Sequence, residues 1–142
     1  PTEVDSFWKK TYVAVRGRVH DENAATLGGV SGHAGLFSAA SDLAKILQME
    51  LNYGIYNGKR YLDSTTIAAF IRQQSSTSSR AISWDTRADG RSFSGQYTSP
   101  VTFLHTGFTG TSVVVDTTKN IIVSRLSAEK KHWRKHEKFK KK

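Results

Sequence analysis

The chain has 142 residues, enough for one domain with a buried core, and no apolar run in it is long enough to span a membrane. It contains no cysteine, which excludes disulfides and thiolate-bound metal. The net charge of +9 is uneven: residues 1–124 carry 12 Lys+Arg against 10 Asp+Glu, whereas residues 125–142 carry 9 against 2. A nearly neutral body with a basic tail gives no ground for specific nucleic-acid recognition by the body.

Pro1-Thr2-Glu3-Val4-Asp5 is polar and acidic, with no secretory signal in it and no Met at its head. The expectation is a fragment or a processed piece. Residues 1–10 read as irregular, and Thr11–Arg16 as a short strand stopped by Gly17. Val19-His20-Asp21-Glu22-Asn23-Ala24 is dense in hydrogen-bonding groups. Four glycines in the eight residues from Gly28 to Gly35 forbid a regular helix there and suit close backbone approach. Ser41–Tyr53 is the clearest helix, with Ser41 as N-cap, Asp42 at the positive end, an apolar stripe at Leu43, Ile46, Leu47 and Leu51, and Gly54 as stop. Asn57-Gly58 predicts a tight turn between Ile55-Tyr56 and Tyr61-Leu62. A second helix is expected from Ser64 as N-cap to about Gln73.

Gln74–Ser79 is a low-complexity loop, after which the period changes to two. Strands are expected at Ala81–Trp84, Ser92–Tyr97, Val101–His105, Ser112–Asp116 and Ile121–Ser124, with a hairpin turn over Asp116–Asn120. Two helices followed by an antiparallel sheet make the fold class α+β.

The chemistry concentrates at His105-Thr106-Gly107. A titratable ring, a hydroxyl and a bare backbone stand together at the end of a strand. Alone, the triplet reads better as a core strand with a hydrogen-bonded His; its context changes that. Gly107 and Gly110 leave the strand edge open, as an oxyanion site built from backbone N–H groups requires, with the Phe108 amide as the donor just after the triplet. His105 would bring a proton or positive charge to a developing anion, and Thr106 a hydrogen bond to a carboxylate or carbonyl. His20, Asp21, Glu22 and His33 invite a metal-site reading, but their spacing follows no metal-binding pattern and neighbouring side chains on an extended chain diverge. The plainer reading is a hydrogen-bonded loop that fixes the glycine-rich segment.

Three blocks together resemble the β-lactamase-related serine hydrolases, the class C β-lactamases and penicillin-binding proteins. They are residues 19–24, residues 28–38 with Asp42-Leu43-Ala44-Lys45, and His105-Thr106-Gly107-Phe108-Thr109-Gly110-Thr111, with Trp84-Asp85-Thr86 between the second and third. The resemblance covers roughly residues 1–123, and is nearest to the subgroup found alone or fused behind bacterial β-hexosaminidase-type glycosidases. It implies a partial β-lactamase/transpeptidase-like fold and an acyl-serine mechanism on an amide, β-lactam or ester, without a cofactor or metal. It also implies an extracytoplasmic bacterial setting and a small-molecule or peptidoglycan-derived substrate. On that resemblance His105, Thr106 and Gly107 form the third motif of the pocket, the Phe108 N–H completes the oxyanion hole, and His20, Asp21 and His33 lie at the rim. Leu104 departs from the small residue expected before His105.

The resemblance also places an S-x-x-K nucleophile motif and a Y-x-N-type motif ahead of Pro1. Ser127-Ala128-Glu129-Lys130 is a literal S-x-x-K string, but it stands in the wrong order and in the basic tail. No G-x-S-x-G elbow occurs, since Ser31 is followed by Gly32 and then His33. The chain is therefore expected to be the C-terminal portion of a β-lactamase-like domain over residues 1–124, inactive alone, with the missing N-terminal half as its partner. Residues 125–142 are expected to be a disordered or helical tail, foreign to the fold if a frame shift produced it. The alternative is a non-catalytic binding piece whose tail engages an anionic polymer or membrane surface without sequence preference.

Overall fold

In the computed structural model of the chain, residues 3–5, 13–87 and 93–127 are described. They fall into two compact units, one formed by Ala39–Leu126 and the other described through residues 3–5, 13–38 and 127.

The larger unit holds the sheet. Its first helix, α2 (Ala40–Leu51), follows α1 (Glu22–Thr26) of the smaller unit in the chain. Its N-cap is Ala39, not Ser41, and no side chain caps it. Ser41 lies inside the first turn, where Asp42 faces the helix's positive end and accepts a hydrogen bond from Lys45 at 2.8 Å. The helix stops through two left-handed residues, Tyr53 (φ 50°) and Gly54 (φ 93°), whose amides return to the carbonyls of Glu50 and Met49. A two-residue hairpin follows: β3 (Ile55–Tyr56) pairs with β4 (Lys59–Arg60) around Asn57-Gly58, both at positive φ. The return strand begins two residues earlier than the expected Tyr61. The next helix, α3, covers Ser64–Ile71 and is capped by Asp63, whose carboxylate accepts the Thr65 N–H at 3.1 Å. It corrects both expected bounds, Ser64 as N-cap and Gln73 as end.

The four-stranded antiparallel sheet runs in the order β5 (Asp85–Thr86), β6 (Phe103–Thr106), β7 (Ser112–Asp116) and β8 (Ile121–Arg125). Its registers place Phe103, Val115 and Ile122 side by side. Because side chains alternate across a strand, these three share one face, and α2 covers that face with Leu47 and Leu51. Phe103 and Val115 are fully buried, and Trp84 packs edge-on to Phe103 with ring centroids 5.0 Å apart.

Several strand expectations are corrected. Ala81–Trp84 is a turn closed by the Ala81 N–H on the Trp84 carbonyl, and the strand starts at Asp85. Residues 93–97 form turns, Ser92 lying outside the described residues; Arg87 reaches the Thr98 and Gln96 carbonyls there. Val101 and Thr102 precede the strand rather than belong to it. β8 continues to Arg125, opposite Ser112, so the first residue of the expected tail is sheet. Residues 128–142 lie outside the described residues.

In the smaller unit, β1 (Glu3–Asp5) pairs antiparallel with β2 (Val13–Val15), where an irregular start was expected; residues 6–12 lie outside the described residues. The polar segment forms α1 (Glu22–Thr26), capped by Asp21. The glycine-rich residues 27–38 contain no helix or strand. Gly35, at φ 103°, lies against Val19: a β-carbon there would sit 3.4 Å from a Val19 methyl.

Candidate functional site

His105 and Thr106 are the last two residues of β6, and their surroundings follow from how β5 ends. β5 pairs only Asp85 with Leu104 and Thr86 with Phe103. Before Asp85 the chain leaves the sheet at Ser83, which has φ 67°. A non-glycine residue in this conformation turns the chain sharply. Trp84 therefore comes beside His105, ring edge to ring face at 6.3 Å between centroids. Beside Thr106 no described strand continues, so the β6 edge is open there. On its other side β6 is paired through its whole length, His105 with Val113 and Thr106 with Ser112.

Alternation puts the two side chains on opposite faces. His105 shares the face of Phe103 and Trp84, and Thr106 the face of Leu104. What they share is the strand end and its open edge. The His105 ring is exposed, and neither its nitrogens nor the Thr106 hydroxyl makes a side-chain hydrogen bond to another described residue.

Gly107 starts the tight connection to β7. Its N–H donates to the Thr111 carbonyl at 2.8 Å, and the Gly110 N–H returns to the Gly107 carbonyl at 3.0 Å. A β-carbon on Gly107 would stand 2.0 Å from Thr111 Oγ1, so any side chain at residue 107 would displace the Thr111 hydroxyl from the inside of the loop. Gly110 takes φ 89° to complete the reversal. Phe108 sits at the tip and is 69% exposed as a residue. The first two residues after β6 are thus held as a narrow loop next to the open edge.

The base of β7 is fixed by Asp116. Its buried carboxylate accepts from the Ser99 N–H and hydroxyl at 2.8 and 2.7 Å, and from the Thr118 and Lys119 amides at 3.1 Å each. Burial alone would push the Asp116 carboxyl up; the hydrogen bonds from Ser99, Lys119 and Thr118 outweigh it and hold the group below the usual range.

In the smaller unit, Asp21 and His33 are brought together and His20 is not placed with them by any described hydrogen bond. Asp21 Oδ1 accepts the Ala24 N–H, which caps α1, and lies 2.8 Å from His33 Nε2. Those contacts, the Ala24 N–H first and then His33, keep the Asp21 carboxyl below its ordinary value. Glu22 is the acidic residue of the first turn of that helix. Among the described residues no group of three or more His, Asp and Glu side chains is placed to hold a metal ion.

Two neighbours were not legible as such. Trp84 beside His105 follows from the turn at Ser83, which no hydrophobic pattern announces. Ser31 lies 2.5 Å from His33 Nδ1, and its only signal is a serine two residues before the histidine. A second literal S-x-x-K string, Ser6-Phe7-Trp8-Lys9, adds to Ser127–Lys130. It falls in the seven residues that join the paired strands β1 and β2, outside the described residues.

Against known proteins, residues 2–139 match the Beta-lactamase family. Over 112 residues, 75% of this chain, it is 39% identical to a protein of Salmonella gallinarum (strain 287/91 / NCTC 13346) and 38% identical to one of Salmonella typhi. Both carry the name "Putative D-alanyl-D-alanine carboxypeptidase". The match covers 26% of each, so the chain spans about a quarter of the length of these curated relatives. With nearly every residue inside the family match, and with a helix-covered antiparallel sheet ending in an H-T-G strand, the chain belongs to the Beta-lactamase family of serine hydrolases and has the α+β architecture of a partial transpeptidase-like fold.

Proposed function

We propose that this chain supplies the third-motif wall of a serine hydrolase that opens an amide, β-lactam or ester through an acyl-serine, on D-amino-acid peptides of the peptidoglycan type. The observation that carries the reading is the open β6 edge ending in His105 and Thr106. An extended peptide can add to such an edge by backbone hydrogen bonds. The Thr106 hydroxyl then takes the substrate's terminal carboxylate. His105, held by Trp84, places a proton or positive charge beside the leaving group. The Phe108 N–H, on the loop that Gly107 narrows, donates to the developing oxyanion. The acyl-accepting serine and its base come from a preceding segment of the same domain, the partner this wall needs. Substrates of this class lie outside the cytoplasmic membrane, so the assembled enzyme works extracytoplasmically. Within the family, the three motif blocks resemble most the subgroup found alone or fused behind β-hexosaminidase-type glycosidases.

The test compares this chain with the same chain joined to the preceding S-x-x-K segment of a carboxypeptidase relative. A chromogenic β-lactam and a D-alanyl-D-alanine peptide serve as substrates. Only the joined protein should turn over, and His105→Ala should lower its kcat/KM about a hundredfold. Turnover of the β-lactam by this chain alone, or full activity in the joined His105→Ala protein, refutes the proposal. So does stoichiometric β-lactam acylation of Ser6 or Ser127.

A further inference from the structure

The glycine-rich loop contains an arrangement that the H-T-G strand does not use. Ser31 Oγ is 2.5 Å from His33 Nδ1, and His33 Nε2 is 2.8 Å from Asp21 Oδ1. The proton positions follow from chemistry. An ionised carboxylate only accepts, so Nε2 carries the hydrogen and donates to Asp21. The other nitrogen of a neutral ring is then an acceptor, and the Ser31 hydroxyl donates to it. This is the proton order of a serine–histidine–carboxylate relay with the two ring nitrogens exchanged.

Two further observations separate the row from a purely structural tie between Asp21 and His33. The amide directly after a nucleophilic serine is a common oxyanion donor. Here that amide belongs to Gly32, which hydrogen-bonds to no other described residue. A β-carbon on Gly32 would also meet nothing within 4 Å, so the loop is open on that side of the residue. The row is reachable as well: the His33 side chain is 51% exposed and the Asp21 side chain 36%. Val30, beside the serine, is almost fully exposed and offers an apolar surface to a short acyl chain.

We propose that Ser31 is a nucleophile in its own right, with His33 as its base and Asp21 as the positioning residue, and that it accepts acyl groups from small activated esters. The Ser31 hydroxyl proton passes to His33 Nδ1 as Oγ bonds to the ester carbonyl carbon. The bond from that carbon to the leaving oxygen breaks, and His33 returns the proton to the leaving oxygen, releasing the alcohol. A water then gives its proton to Nδ1 while its oxygen attacks the acyl carbon; the acid leaves and Ser31 regains its proton. An exposed loop without walls does not select large substrates, so the class is unhindered aryl esters of short acids, not peptides.

The test uses the full chain with an aryl fluorophosphonate and with p-nitrophenyl acetate, followed by peptide mapping of the phosphonylated serine. The label should fall on Ser31. Ser31→Ala, in a segment that is neither helix nor strand, should abolish it and lower ester hydrolysis about a hundredfold, and His33→Gln should do the same. Asp21→Asn separates positioning from folding: Asn caps a helix as well as Asp, so the urea midpoint should hold while the labelling rate falls. Label on any other serine, unchanged labelling in His33→Gln, or an Asp21→Asn effect that appears only as lost stability overturns the proposal. β-Lactam turnover does not enter this test, so its outcome and that of the H-T-G strand are read separately.

Discussion

Asp116 is a buried carboxylate and Glu50 a partly buried one, and the protein treats them oppositely. Asp116 has donors on both oxygens, so its charge is stabilised. Its folded pKa is depressed, which makes the contribution present above the unfolded value, near 4, and lost as pH falls through the folded value. Asp116→Ala should cost about 3 kcal/mol in urea unfolding at pH 7. Against Asp116→Asn the advantage of the native residue should shrink below pH 4, and a gap that stays constant from pH 7 to pH 3 would exclude this account. Glu50 has the opposite sign. One of its oxygens is buried with no hydrogen-bond partner among the described residues, and burial pushes the carboxyl up to about 7. Its folded pKa lies above the unfolded one, so stability is fully present below about pH 4.5 and is lost as pH rises through 7. Glu50→Gln should therefore gain about 1–2 kcal/mol at pH 8, after allowance for partial solvent screening, and nothing at pH 4. Trp84 acts through His105. In the joined hydrolase Trp84→Leu should lower kcat about tenfold with KM little changed, while the His105 ring resonances shift as the neighbouring ring current disappears.

At the scale of elements, what could be read from the chain was what local chemistry decides. β7 was legible as Ser112–Asp116 because Val113-Val114-Val115 is β-branched and Lys119-Asn120 marks the turn, where Asn120 takes φ 55°. The Asn57-Gly58 hairpin was legible for the same reason. The misses share a different cause. Glu3–Asp5 is a strand only because β2 lies beside it, a fact absent from three acidic and apolar letters. The turns after Phe93 are held by Arg87, six or more residues away, and by a Ser94–Thr98 hydroxyl pair. Of the candidate site, His105–Gly107 was legible as a motif, but Trp84 and Ser31 were not, because their places depend on a left-handed residue and on a loop folding back. Gly54 shows how tightly one such position is held. A β-carbon there would come 2.1 Å from the Leu62 carbonyl oxygen, and φ is 93°. Gly54→Ala should cost about 2–3 kcal/mol, read as a lowered urea midpoint with unchanged slope. Asp63→Ala, which removes the α3 cap and its bonds from the Ser64 and Thr65 hydroxyls, should lower the urea midpoint by less than Gly54→Ala does.

For the molecule as a whole, the sheet poses the question of association. Among the described strands β8 is outermost in the order β5-β6-β7-β8, and its residues alternate: Ile122 faces the α2 core while Ile121 and Val123 are about half exposed on the other face. Leu126, just beyond, is exposed too. A β-branched outer strand with unpaired backbone groups is a template for another strand, and charge on its exposed face is the usual protection. Here Arg125 is the only charged residue in the strand. The nearly neutral body adds little repulsion between copies, since the excess positive charge is confined to residues 125–142. Two forces therefore compete: apolar pairing at β8 and electrostatic repulsion from the basic end. Because salt screens the second over about 10 Å at 0.1 M and leaves the first intact, the chain should associate more as salt rises. Sedimentation of the full chain at increasing salt checks this. Val123→Lys puts a charge on the exposed face without touching Ile122 or the core, so it should keep the protein monomeric at high salt with the same circular dichroism. Association that salt suppresses, or that Val123→Lys leaves unchanged, would place the contact elsewhere than β8.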